Sequence, residues 1–156
     1  MKKQLKLTVN GKYYELDISP ETLLIDVLNK ELSWTGPKRG CDSSSCGACT
    51  VIIDGLAVRS CSILAMQANG REVTTIEGIA DGDKLHPIQQ AFIDHAAFQC
   101  GYCTPGMIMS AKALLDENPE ATEGEVRQAL RGNLCRCTGY VKIVEAVLAA
   151  REKMRG

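Results

Sequence analysis

The segment Gly40 to Thr50 reads GCDSSSCGACT and holds three of the chain's eight cysteines, with two glycines, in eleven residues. Thiolates are nucleophiles, redox groups and soft metal ligands. Three of them this close, between residues too small to build a core, point to metal ligation. The remaining cysteines continue the pattern. Cys61 follows at a distance, and Cys100, Cys103, Cys135 and Cys137 stand apart in the second half of the chain. The eight therefore divide four and four.

In the first set, Cys41, Cys46, Cys49 and Cys61 give C-x4-C-x2-C-x11-C. C-x4-C-x2-C with a distant fourth cysteine is the plant-type spacing for a [2Fe–2S] cluster. Four thiolates must surround two irons, and three come from one loop wrapped closely around them. Gly40 and Gly47 permit that close approach. Ser43, Ser44, Ser45 and Ala48 keep side chains clear, and their backbone N–H groups can donate to sulfur and tune the potential. Structural zinc more often uses paired C-x2-4-C knuckles, so this set favours the cluster over zinc.

In the second set, Cys100 and Cys103 form C-x2-C, and Cys135 and Cys137 form C-x-C. Each pair is followed directly by a threonine, Thr104 or Thr138, and then by a helical apolar pattern. That arrangement predicts two threonine N-caps. Two helix starts, each offering two thiolates, would favour an anionic cluster through their partial positive charge. On spacing alone a second [2Fe–2S] cluster and a zinc site both remain open here. Arg136 lies between two of these cysteines and suits either tuning of cluster charge, a partner contact or an ordinary exposed position. The two histidines, His86 and His95, fall on one predicted helix and read as structural or solvated, not as ligands.

The elements that must carry these residues change character midway. Leu5, Leu7 and Val9, then Asn10-Gly11, then Tyr14, Leu16 and Ile18 predict a β-hairpin. Pro20 suits the first position of a helix carrying Leu24, Val27, Leu28 and Leu32. A second hairpin is predicted around Asp54-Gly55, a short helical piece over 62–67 and a strand over 72–76. Beyond the turn-rich GIADGD segment at 78–83, four helical faces follow: Leu85 to Ala96, Met107 to Leu115, Val126 to Leu130 and Tyr140 to Leu148. Thr122 and Glu125 have capping-box spacing. The expected class is α+β: a small mixed sheet over residues 1–79, then an all-α four-helix domain over 80–156.

Composition bounds the function. The formal net charge is −1 over 156 residues, which gives nucleic acid no electrostatic support. No apolar run reaches the roughly 20 residues of a bilayer span. The alternating start, MKKQLKLTVNG, reads as a strand and not as a signal peptide. A cytoplasmic chain with reduced thiols is the expectation. Eight cysteines are also too few for a disulfide scaffold, about 5% of the chain against roughly 8–10%. Two oxidised clusters of about −2 each would take the formal charge to about −5.

GCDSSSCGACTV, QCGYCTPGM and GNLCRCTGY occur in this order. Together they resemble the small iron–sulfur subunit of the molybdenum hydroxylases, the family of xanthine dehydrogenase, aldehyde oxidase and carbon monoxide dehydrogenase. The resemblance runs over residues 3–152. It implies a β-grasp, plant-ferredoxin-like domain followed by a helical [2Fe–2S]-binding domain. It implies two [2Fe–2S] clusters here, with molybdopterin on a large partner and FAD on a medium one, in a dimer of heterotrimers. By the same resemblance, Gln99 lies near the pterin and Cys137 lies on the electron route toward it. The chain itself would transfer electrons between molybdenum and flavin. A free-standing two-cluster carrier, or a redox or zinc module, is the alternative.

Overall fold

The computed structural model describes residues 1–156. Strands β1 (Lys3–Val9) and β2 (Lys12–Ile18) form an antiparallel hairpin, with Lys3 opposite Ile18 and Val9 opposite Lys12. Its turn residues, Asn10 and Gly11, both have positive φ, 51° and 78°. That turn geometry matches the twist of the strands it joins. Strands β3 (Thr50–Ile53) and β4 (Leu56–Arg59) form the second hairpin across Asp54-Gly55. Strand β5 (Glu72–Thr74) runs parallel to β1 and antiparallel to β3, giving the mixed order β2-β1-β5-β3-β4.

Three expectations shift in detail. The first helix does not begin at Pro20. Leu23 stays extended and pairs with Leu64, the Leu24 N–H donating to Ile63 and the Ala65 N–H to Thr22. Only then do α1 (Leu24–Asp26) and a π-helical turn (Val27–Glu31) form. The expected helical piece over 62–67 is a 3-10 turn at Ala65–Ala68. Strand β5 stops at Thr74 because Thr75 is held by Asn10, whose Oδ1 accepts from the Thr75 N–H at 2.9 Å.

The second half contains α2 (Pro87–Asp94), α3 (Thr104–Glu117), α4 (Glu123–Ala129) and α5 (Val141–Arg155). Helix α4 begins at the predicted capping box: Thr122 Oγ1 accepts from the Glu125 N–H, and Glu125 Oε2 accepts from the Thr122 N–H at 2.7 Å. Helix α2 is capped by a histidine. His86 Nδ1 accepts from the Ile88 N–H at 3.2 Å, and burial lowers the pKa of this imidazole, in keeping with an acceptor nitrogen. His95 closes the other end of the same helix.

Two apolar cores result. One joins Leu5, Leu7, Val9, Leu24, Leu28 and Val51 beneath the sheet. The other joins Ile88, Phe92, Met107, Leu115, Val126 and Val147 among the helices. Helix α3 also packs on β3, so every residue of that strand is buried and the sequence there does not alternate. No helix is long and apolar enough to cross a membrane.

Candidate metal centres

The first cysteine loop turns through Ser44 and Gly47, both at positive φ, 60° and 72°. This winding aims backbone N–H groups inward. Those of Cys46 and Ser43 point at the Cys41 sulfur and, with the Cys46 thiol, hold its pKa down at about 6. Cys49 is buried, which pushes its thiol up to about 11, while the Cys61 N–H and thiol approach it. Ser44 Oγ lies 3.7 Å from Cys61 Sγ. The Cys46 thiol is raised chiefly by burial, against N–H donation from Ala48 and Gly40. A sulfur ringed by N–H donors is built to be anionic.

The second set surrounds a cleft of about 440 Å³, lined by Cys100, Cys103, Cys135 and Cys137, with Cys46 of the first set on its wall. Cys103 is pushed up to about 12, by burial first and then by the thiol of Cys135. Cys137 is raised by the Cys100 thiol. Cys135 is lowered: burial opposes this, but the Thr138 hydroxyl and N–H donate to its sulfur at 3.0 and 3.4 Å and prevail. The Cys135 N–H in turn donates to Tyr140 Oη at 2.8 Å.

Neither threonine is an N-cap. Cys103 occupies that position for α3, and Thr104 Oγ1 is buried without a partner. Tyr140, at φ 72°, occupies it for α5. Thr138 is drawn off by the Cys135 sulfur, so α5 starts two residues later than expected.

The thiols thus meet in pairs: Cys41 with Cys46, Cys49 with Cys61, Cys103 with Cys135 and Cys100 with Cys137. Mononuclear zinc needs four donors on one centre. A [2Fe–2S] cluster needs two thiolates on each of two irons. Two pairs in each half suit the binuclear group.

The two loops are also bonded to each other. The Leu134 N–H donates to the Cys46 carbonyl at 2.8 Å. Asn133 Nδ2 donates to the Gly47 carbonyl at 3.1 Å, and Ser110 Oγ donates to Asn133 Oδ1 at 2.8 Å. Arg59 Nη2 donates to the Gly132 carbonyl at 2.5 Å, and Tyr102 Oη to the Arg39 carbonyl at 2.7 Å. Gly106 of α3 lies directly against the Gly47 carbonyl, and a Cβ there would overlap it. Sequence reasoning singled out none of these contacts. The glycines and Asn133 stand inside the quoted motifs, but Arg59 and Ser110 carry no local signal.

Gln99, Cys100 and Cys137 are exposed. Beside them, Phe98, Ile93 and Leu85 are exposed large apolar side chains around a cleft of about 360 Å³ on the helical half. Arg136 is exposed and lines the second cysteine cleft.

Such a chain is a two-centre iron–sulfur protein. Two family models match it: the 2Fe-2S iron-sulfur cluster binding domain over residues 7–75 and the [2Fe-2S] binding domain over 75–148. It is 47% identical over 149 residues to the nicotinate dehydrogenase small FeS subunit of Eubacterium barkeri, covering 96% of this chain and 95% of that one. Its structure matches that of quinoline 2-oxidoreductase from Pseudomonas putida with a TM-score of 0.94 at 43% identity, covering 99% of this chain and 96% of that one. The aldehyde oxidoreductase of Desulfovibrio desulfuricans matches with a TM-score of 0.94 at 50% identity, but there the likeness spans only 17% of a longer chain. The chain belongs to the small iron–sulfur subunits of the molybdenum hydroxylases. A free-standing carrier or a zinc module is therefore not favoured.

Proposed function

We propose that Cys41, Cys46, Cys49 and Cys61 hold one [2Fe–2S] cluster and Cys100, Cys103, Cys135 and Cys137 the other, one thiol pair to each iron. The observation that carries this is the pairing of all eight thiols, two pairs in each half. When bound, each cluster takes up and releases one electron at a time. The chain supplies the N–H and hydroxyl donors at the sulfurs, the partial exclusion of water and a fixed spacing between the sites.

The division falls at 79/80, between a β-grasp domain and a four-helix cluster domain. The two separate cores support it, although Ile76 and Ile79 already pack on the helical side. Gln99 would lie near the molybdopterin of a large subunit, Cys137 on the electron route toward it, and the first cluster toward the FAD of a medium subunit. Exposure of Gln99, Cys100 and Cys137 on one rim supports that orientation. The apolar surface at Phe98, Ile93 and Leu85 supports burial against a partner. The assembly is a cytoplasmic dimer of heterotrimers. Electrons pass between molybdenum and flavin by way of the helical half first and the sheet half second.

The test is EPR of the dithionite-reduced complex from its native source, with iron and molybdenum quantified on the same sample. Two distinct [2Fe–2S] signals, with molybdenum and flavin present, are expected. One signal, or zinc in place of iron, would remove the second centre and with it the relay.

A further inference from the structure

Of the side chains that reach across the junction between the halves, Gln89 ends on the Ile76 carbonyl beside the boundary, and three others end on a backbone carbonyl of a cysteine loop. Arg59 reaches from β4 to Gly132, three residues before Cys135. Asn133 reaches back to Gly47, which adjoins Cys46. Tyr102, between Cys100 and Cys103, reaches Arg39, two residues before Cys41. Arg59 is the most informative. Its guanidinium is half-buried, takes part in none of the chain's ion pairs, and leaves Nε buried without an acceptor. Desolvating a cation with no counter-ion is costly. A surface-stabilising arginine would pair with a carboxylate, whereas this one is committed to a single carbonyl on the opposite half.

The three contacts bracket the main-chain bond between Leu134 and Cys46 from different sides. Asn133 is itself fixed by Ser110 and is 3% exposed. The Tyr102 ring packs over Gly40, where a Cβ would lie 3.6 Å from a ring carbon. Glycine at 132 leaves room for the guanidinium, because a Cβ there would overlap Arg59. The site is shaped for these contacts from both partners.

We propose that Arg59, Asn133 and Tyr102 are positioning residues for electron relay: they fix the separation and orientation of the two cluster loops and so set the rate of transfer between the clusters. This rests on the two-cluster reading given above. None of the three touches a reacting atom. They act because electron transfer falls steeply with distance, so a loosened junction slows relay even when both clusters are intact.

The experiment compares wild-type complex with Arg59→Met, Tyr102→Phe and the double variant. Methionine keeps an unbranched stem and phenylalanine keeps the ring, so each removes donors with little change of packing. Three quantities are read: iron per chain, the magnetic splitting between the two reduced clusters, and the inter-cluster rate after rapid one-electron reduction. Full iron, unchanged signatures of each separate cluster, a smaller or broadened splitting and a severalfold slower rate in the double variant are expected. Arg59→Lys, which keeps an N–H donor on a long stem, should recover most of the rate. Full iron with splitting and rate unchanged in the double variant would overturn the proposal. That result with a lowered melting temperature would leave these residues a purely structural role. A wild-type complex short of iron would instead overturn the two-cluster reading, and this inference with it.

Discussion

The carbonyl of Cys46 accepts a hydrogen bond from the N–H of Leu134 at 2.8 Å, and the next residue after Leu134 is Cys135. One main-chain bond therefore joins a cysteine of the first set to the neighbour of a cysteine of the second. Replacing the amide at Leu134 by an ester, through the matching α-hydroxy acid, deletes that donor and weakens as an acceptor only the Asn133 carbonyl, which receives no hydrogen bond. The complex should lose about 0.5–1.5 kcal/mol of stability. Inter-cluster transfer should slow while both EPR signals persist. Unchanged transfer would show that this bond holds the loops without carrying the electron.

Gly106→Ala places a methyl against the Gly47 carbonyl and the Ala48 Cα. Both neighbours are backbone, so neither yields cheaply. A loss of about 1–3 kcal/mol is expected, in the range of core overpacking. The thermal melt of the holo-complex measures it. Gly124→Ala, on the exposed side of α4 where a Cβ meets only distant contact, is the control and should be neutral or slightly stabilising.

Thr138→Val removes the hydroxyl that donates to Cys135 Sγ at 3.0 Å. A donor at a ligand sulfur favours the reduced, more negative cluster. Its removal should lower the second cluster's potential and leave the first unmoved. Redox titration followed by EPR reads the two separately. A shift in the first cluster alone would reverse the assignment of the two sets.

The metal-free chain should show graded thiol reactivity. Cys41, held down at about 6, is mostly thiolate at about pH 7.5, whereas burial keeps Cys49 near 11 and Cys103 near 12 almost wholly protonated there. Iodoacetamide after chelation of iron should mark Cys41 first, and Cys49 and Cys103 last. Raising the pH should narrow the difference, because the raised groups gain thiolate while Cys41 has none left to gain. Peptide mass spectrometry over a time course checks the order. Holo-protein should be protected at all eight positions.

Much of this was legible in the sequence because the signals are local. The Asn10-Gly11 and Asp54-Gly55 turns, the Thr122–Glu125 box and the cysteine spacings each depend on residues a few positions apart. The expectations that failed did so for two reasons. Thr138 lost its cap to a competing acceptor close by, the Cys135 sulfur, whereas Pro20 lost its helix to a distant pairing, Leu23 with Leu64. The junction contacts were illegible for the second reason. Arg59 and Gly132 are 73 residues apart, and Asn133 and Gly47 are 86 apart. No periodicity reports such a meeting.

The Gly47 carbonyl receives Asn133 Nδ2, the Thr50 hydroxyl and the Thr50 N–H at once. One acceptor thus serves its own loop and the opposite half together. The consequence concerns interchange. Cutting the chain between its halves would strand a buried carboxamide on one side and an arginine on the other, each without its acceptor. A helical half grafted from a relative would have to bring its own counterparts of Asn133, Gly132 and Gly106. The two halves are separable as cores but not as spare parts, and a chimaera assembled without regard to these atoms should bind iron poorly even with every cysteine in place.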